Sequence, residues 1–219
     1  MSKIKCIIIC AGDGTRWDNY LGSPKHLIKI GGERLIDRVV KQLNKYNTEV
    51  YVIAKNNDDR YKVEGSTYYE ADLNENNVDA DKFLSSQELW SKEGRTIVFY
   101  GDVWFTDEAI KTIIEYDKKE WILFSNMVEC FAQSFYPENI EEHLQALYKI
   151  RDAYKEKRIE RCGGWEHYRA MTGIPLTEHR FNGRNYQITD LTDDFDYPKD
   201  YEVFIKKYEE QYGKDSVCM

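Results

Sequence analysis

The chain reads as an α/β protein: a mostly parallel sheet flanked by helices, with an α-rich segment inserted late. Three observations predict this. Residues 3–10, KIKCIIIC, are β-branched and continuously apolar, the pattern of a central parallel strand covered on both faces. Apolar runs then alternate with segments of helical period, as in βαβ units. After Val128 that alternation stops and a long charged stretch of helical period takes over.

Each element follows in order. Residues 33–44, ERLIDRVVKQLN, place Leu35, Ile36, Val39, Val40 and Leu43 on one helical face. EVYVIAK (49–55) is a second buried strand. Residues 79–91 form a helix with Phe83, Leu84 and Leu89 turned inward. TIVFYGD (96–102) is a third strand, DEAIKTIIEY (107–116) the next helix, and EWILFSN (120–126) a fourth strand. Crossovers between such strands are right-handed by default. Residues 138–160 form one long charged helix, followed by the Gly-containing aromatic stretch RCGGWEHYRAMTGIPL. NYQITD then supplies a short strand, before an acidic turn and a C-terminal helix that Pro198 starts. One domain over 1–219 is expected, with 129–185 as an insertion or lid.

The totals exclude several classes. With 219 residues, 42% hydrophobic, the chain has enough apolar mass for one sizeable core. A net charge of −8 argues against general binding of nucleic acid or anionic membrane, since both need clustered cations. It leaves room for one phosphorylated molecule held by a few local cations. No run approaches the roughly 18 apolar residues of a membrane span. MSKIKCIII lacks the longer apolar stretch and cleavage site of a signal peptide, so a cytoplasmic location is expected. The five cysteines (Cys6, Cys10, Cys130, Cys162, Cys218) are odd in number, widely spaced and free of any C-x-x-C, which disfavours both zinc and disulfides. His26, His143, His167 and His179 show no metal-ligand spacing.

Chemistry concentrates at Gly12-Asp13-Gly14-Thr15-Arg16. A Walker A loop needs a different spacing and a lysine; a dinucleotide fingerprint needs a third glycine where Trp17 stands. What remains is a bare loop whose backbone N–H groups can approach an anion, with Arg16 and Lys25 adding charge. Pro24 constrains the backbone just before Lys25. The alternative is an ordinary β-to-helix turn. Asp102 ends an apolar strand after Gly101, and ligands of open parallel sheets bind beyond such strand ends. A hard carboxylate there suits Mg2+; the alternative is a turn or capping aspartate. Residues 190–200, DLTDDFDYPKD, crowd five aspartates together, which suggests a nearby cation or a solvated acidic turn.

AGDGTR, a short gap and PKHLIKIGGERLIDRVVKQL resemble the signature of the sugar-phosphate nucleotidyltransferases, and GDVWFTDEAI resembles that family's second block. The ending is similar to its cytidylyltransferase-like members: Asp196, Pro198, Asp200 and Glu202 match a D-x-P-x-D-x-E. The resemblance implies a Rossmann-like fold, Mg2+, and a reaction in which a phosphorylated small-molecule acceptor attacks a nucleoside triphosphate and pyrophosphate leaves. It places Gly12, Asp13, Gly14, Thr15, Arg16 and Lys25 around the triphosphate and Ala11 near the base, and makes Arg16, Lys25 and Asp102 the catalytic set. Asp102 and Asp196 become metal ligands, with Asp194 a close rival for the second place. Asn77, Asp79 and Ser85, within NENNVDADKFLSSQELW, become base or ribose contacts. Residues 129–185 become the acceptor-binding insertion. The base on the acceptor phosphate stays open among Lys149, Lys155, Arg158, Arg161 and Arg169, and so do the nucleotide and a homo-oligomeric state. Two other readings stand beside this one. A glycosyltransferase of related fold would carry a D-x-D where this chain has Asp102-Val103-Trp104; a non-catalytic nucleotide-binding protein would bind without turnover.

Overall fold

In the computed structural model, residues 3–73 and 78–213 are described. The strands are β1 (Ile4–Ile9), β2 (Lys29–Ile30), β3 (Glu33–Arg34), β4 (Thr48–Ala54), β5 (Thr67–Glu70), β6 (Thr96–Tyr100), β7 (Val103–Trp104), β8 (Ile122–Ser125), β9 (Cys130–Phe135), β10 (Asn185–Gln187) and β11 (Asp193–Asp194). The α-helices are α1 (Leu35–Leu43), α2 (Asp79–Ser85), α3 (Asp107–Glu115), α4 (Ile140–Lys155), α5 (Gly164–Thr172) and α6 (Pro198–Tyr212).

Seven strands form the main sheet in the order β10-β8-β9-β6-β1-β4-β5. β1 lies parallel between β4 and β6, β5 extends β4 in parallel, and β10 runs parallel to β8. β9 is antiparallel to both of its neighbours. The period-2 alternation of a strand sorts β1 between two cores. Cys6 and Ile8 meet Ile36, Val39 and Val40 of α1 and Ile110 and Ile113 of α3. Ile7 and Ile9 meet Phe83 of α2, Leu147 and Ile150 of α4, and Tyr168 and Met171 of α5. A continuously apolar strand is therefore required at β1, because both of its faces are covered. Cys6, Cys10, Cys130 and Cys162 are free thiols; Cys218 lies outside the described residues.

Several elements depart from the sequence reading. The helix expected over 79–91 stops at Ser85, and a 3-10 turn covers Gln87–Leu89. Ser86 ends it: its hydroxyl donates to the Phe83 carbonyl and accepts the Trp90 indole N–H, an alternative to continuing the ladder. β9 was not expected: it lies just after Val128, where the alternation stops, and Gln133 and Ser134 interrupt its apolar run. Both are buried, and both find tertiary partners: the Gln133 amide donates to the Tyr100 hydroxyl and the Arg95 guanidinium donates to Ser134. The segment 129–185 thus begins inside the main sheet and continues as α4 and α5 on its face. β5 and the short pairs β2–β3 and β7–β11 were not legible either.

A third cluster attaches the C-terminus to the loop after β1. Trp17, Ile28, Ile30, Leu35, Trp104, Phe195 and Phe204 are all buried together. Phe204 lies on α6 and packs edge-on against Phe195. This cluster brings residues 193–196 to the open end of β1 and β6.

Gly101 is demanded by close approach. Its N–H donates to the Ile9 carbonyl at 3.0 Å, and a Cβ there would stand 2.7 Å from that oxygen and collide with the Cys10 sulfur. Gly101→Ala is expected to cost about 1–3 kcal/mol, the usual range for overpacking, read from the urea midpoint. An unchanged midpoint would show that the strand ends are not held together there.

Two of the buried histidines lie together and contribute to the acid sensitivity of the fold. His143 stacks on Phe135, with ring centroids 4.3 Å apart, and lies 4.7 Å from the His167 ring. Burial keeps both neutral, pushing His167 down to about 3 and His143 well below its ordinary value. The unfolded chain accepts protons near pH 6.5 that the fold refuses. Their contribution is complete above that pH and is lost as pH falls from about 6.5 towards 3. His143→Phe should flatten the pH dependence of unfolding free energy below about pH 5.5 by roughly 1.4 kcal/mol per pH unit. An unaltered slope would assign the acid sensitivity to other groups.

Candidate active site

The ends of β1 and β6 open into a cleft of about 840 Å³. Its floor is the glycine loop. Gly14 adopts φ +61°, the left-handed region that favours glycine, and its carbonyl accepts the N–H groups of Trp17 and Asp18. Trp17, fully buried, anchors this turn: its indole N–H donates to the carbonyls of Tyr20 (3.0 Å) and Ser23 (2.9 Å). The residue that breaks a dinucleotide fingerprint is thus the one that shapes the loop, which turns back on itself where that fold would start a helix.

Pro24 leads into a 3-10 turn over Lys25–Leu27, and the Lys25 side chain is turned inward and only 10% exposed. Its ammonium pairs with Asp102 and, at 3.0 Å, with Asp196. Arg16 grips Asp196 with two nitrogens, at 2.6 and 2.9 Å, and its guanidinium lies over the Tyr197 ring. Burial opposes the charge on both members of the Lys25–Asp102 pair. For Lys25 the two carboxylates outweigh it and raise the pKa; for Asp102, the Lys25 charge outweighs it and holds the carboxyl below its ordinary value. His26 itself is buried, shares a 3.3 Å contact with the Tyr61 hydroxyl, and is pushed by burial down to about 3, so it stays neutral.

Backbone pairing delivers the acidic segment. Asp194 of β11 faces Val103 of β7 in antiparallel register, and the Phe195 N–H donates to the Asp102 carbonyl at 3.1 Å. Glu129, from the turn before β9, completes the group. Glu129, Asp194 and Asp196 each offer a carboxylate oxygen, all within 4.8 Å of one another. Burial raises the Asp194 pKa, and Asp102, Glu129 and Asp196 raise it further; burial and then Asp196 raise that of Glu129. Hard oxygen donors crowded this closely, and mutually repelling, fit a hard divalent cation. Asp194 and Asp196 are both in the group, so neither excludes the other.

The remaining aspartates of 190–200 are structural. Asp190 accepts from the Thr106 hydroxyl, Asp193 pairs with Lys207, and Asp200 accepts the Tyr197 N–H at the start of α6. Asp107, the first residue of α3, accepts from Gln42 and Lys45, while the Thr106 hydroxyl caps that helix.

Other expectations sort by position. Thr15 lines the cleft, and Asp13 does so while paired with Lys55. Ala11 is buried in the core beneath the loop. Asp79 lines the cleft, paired with Lys82 at 2.7 Å. Ser85 is not brought to the cleft; its hydroxyl donates to the Lys82 carbonyl. Asn77 lies outside the described residues. Of the five basic candidates for an acceptor phosphate, Arg161 and Arg169 line the cleft; Lys149, Lys155 and Arg158 do not. Arg169 is committed to the wall, donating to Glu166 and the Leu176 carbonyl and contacting His179 at 2.9 Å. Arg180, unsuspected in the sequence, joins Arg161 in the lining, beside an aromatic pair in which the Trp165 and Phe181 rings lie 5.3 Å apart. Glu129, Lys55 and Lys82 were also missed. Glu129 carries no sequence signal, since it stands in a turn with no motif around it. Lys82 had one, its place in the polar block read for base contacts.

A model of the MobA-like NTP transferase domain family matches residues 6–153, which include the glycine loop, Lys25, Asp102 and Glu129. No curated protein matches the chain. Solved structures share its fold. The Mycobacterium sp. strain JC1 homolog of Mycobacterium tuberculosis rv0371c is 15% identical with a TM-score of 0.64, over 96% of this chain and 98% of that one. The CTP:phosphocholine cytidylyltransferase LicC from Streptococcus pneumoniae is 15% identical with a TM-score of 0.59, over 95% and 99%. The inositol-1-phosphate CTP transferase from T. maritima is 14% identical with a TM-score of 0.57, over 97% and 98%. At such identities the likeness is one of fold. The family match is broader evidence, since it runs through most of the chain and through the glycine loop, Lys25, Asp102 and Glu129, and on it the chain belongs to the MobA-like NTP transferase domain family and is a nucleotidyltransferase.

Proposed function

We propose that the chain transfers a nucleoside monophosphate from a nucleoside triphosphate to a phosphorylated small-molecule acceptor, with Mg2+ as cofactor and pyrophosphate as the second product. One observation carries this reading. The Lys25 ammonium bridges Asp102 and Asp196 on the rim of a bare glycine loop, so anion-binding and cation-binding groups meet at one point. A triphosphate and its counter-cation need both.

An acceptor phosphate is already anionic, so no protein nucleophile or strong base is required. Alignment and charge stabilisation carry the reaction. The loop N–H groups, Arg16 and Lys25 receive the triphosphate and steady the departing pyrophosphate. To do so, both cations exchange carboxylate oxygens of Asp196 and Asp102 for phosphate oxygens, which frees those carboxylates. Asp102, Asp194 and Asp196, with Glu129 beside them, would hold a divalent cation, which supplies charge neutralisation at the phosphates when bound. At the far end of the cleft Arg161 and Arg180 suit the acceptor's phosphate, and Trp165 and Phe181 its body. CTP is the first donor to test, because two fold neighbours are named for CTP chemistry and the chain's ending is similar to that of cytidylyltransferase-like members. The glycosyltransferase reading loses ground here: where a D-x-D would need its second aspartate stands Trp104, packed against Phe204 with 5.2 Å between rings and covered by Arg38.

The decisive experiment is a pyrophosphate-release screen of four triphosphates against phosphorylated polyols, amino alcohols and sugars. Activity should vanish with a chelator and return with Mg2+. Release of a nucleoside diphosphate from a nucleotide-sugar, with no pyrophosphate in any pairing, would overturn the proposal. Asp102→Asn should lower turnover by roughly two to four orders of magnitude, the cost of losing an electrostatic stabiliser, while the protein stays folded. Near-normal turnover in that variant would remove Asp102 from the catalytic group.

A further inference from the structure

We infer that Lys82 is a further nucleotide-binding residue, its ammonium set over Gly12 to take a phosphate oxygen of the triphosphate. The inference rests on the nucleotidyltransferase reading and adds a contact that the glycine-loop motif does not contain.

The placement is specific. Lys82 lies on the cleft wall across from the loop, and its side chain is only 16% exposed. A lysine on a helix surface normally extends its ammonium into bulk water. This one turns into the cleft: a Cβ built on Gly12 would meet the Lys82 nitrogen at 3.6 Å. The ammonium therefore rests on the bare backbone of the loop, in space that any side chain at residue 12 would narrow.

Its electrostatic company points the same way. Arg16 and Lys25 stand on one flank of the loop, and Lys55 pairs with Asp13 of the loop itself. Burial and then the nearby Lys82 charge both work against the charged form of Lys55. Four cations thus surround one short loop in a protein of net charge −8. A multivalent anion is the natural partner of cations gathered this closely. Here each cation rests on a carboxylate: Arg16 and Lys25 on Asp196, Lys55 on Asp13, Lys82 on Asp79. A rotation about the lysine stem exchanges the Asp79 oxygen for a phosphate oxygen above Gly12. The competing role is a plain i,i+3 ion pair on α2, which would contribute a few tenths of a kcal/mol to stability and nothing to binding.

Calorimetric titration with CTP and Mg2+ separates these roles, with cytidine as the phosphate-free control followed by NMR. Should another triphosphate prove to be the donor, it and its nucleoside replace this pair. Lys82→Met should weaken triphosphate binding about 10- to 100-fold, in keeping with the loss of one charge-assisted hydrogen bond. Cytidine binding should change less than twofold, and the melting temperature by no more than about 2 °C. Lys82→Arg should recover binding to within about threefold of wild type. If Lys82→Met does not fold, Lys82→Gln is read the same way. Wild-type triphosphate affinity in the folded variant would overturn the inference and leave the reaction untouched. An equal loss for cytidine would overturn the phosphate assignment. Failure of the wild type to bind any of the four triphosphates would instead sink the nucleotidyltransferase reading on which the inference rests.

Discussion

The site depends on one ammonium group. Lys25 stands between Asp102 and Asp196, which come from the middle and the end of the chain, and holds their carboxylates at a single point. Without it, Asp102, Asp194, Asp196 and Glu129 would form a partly buried acidic group opposed by little beyond Arg16. Removing one member of a buried ion pair typically costs several kcal/mol, because the charge left behind has lost both water and partner. In the proposed reaction Lys25 is structural before ligands arrive and binds phosphate afterwards. The charge that holds the acidic group together would pass to phosphate once a divalent cation took over those carboxylates.

That arrangement needs the third hydrophobic cluster as much as it needs charge. Trp17 anchors the loop after β1, Phe195 follows Asp194 directly, and Phe204 ties α6 to both. Burial of these aromatics is what brings residues 194 and 196 to residues 16 and 25. Aromatic packing is short-ranged and demanding in shape, so it fixes position; Coulombic attraction alone would allow a range of distances. Backbone bonds complete the register through β7–β11, where the Asp102 carbonyl receives the Phe195 N–H. The cleft and its acidic edge are thereby assembled from segments 180 residues apart in the chain.

Much of the fold was legible because it obeys local rules. β1, β4, β6 and β8 are apolar runs, and α1, α3, α4 and α6 carry clear periods or starts, so their order was readable. β9 was not, because Gln133 and Ser134 look like surface residues until Tyr100 and Arg95 are placed beside them. The stop at Ser85 was hidden for a similar reason: Ser86 hydroxyl bonding to Trp90 decides it, and propensity alone would have continued the helix. At the site, Arg16, Lys25, Asp102 and Asp196 could be named from motif and strand-end position. Glu129 and Arg180 could not, since each enters the cleft only through what stands opposite it.

By itself the sequence determined which strand carries the glycine loop, that two cations and a strand-end aspartate accompany it, and that an acidic segment precedes the last helix. These are consequences of periodicity, glycine content and residue type, which operate over a few neighbouring positions. Tertiary structure alone decided which of five aspartates face the pocket, which arginines reach it, and that one lysine bridges two carboxylates. Those outcomes depend on distances between residues remote in the chain, set by aromatic burial and strand register, and no local pattern encodes a distance of that kind.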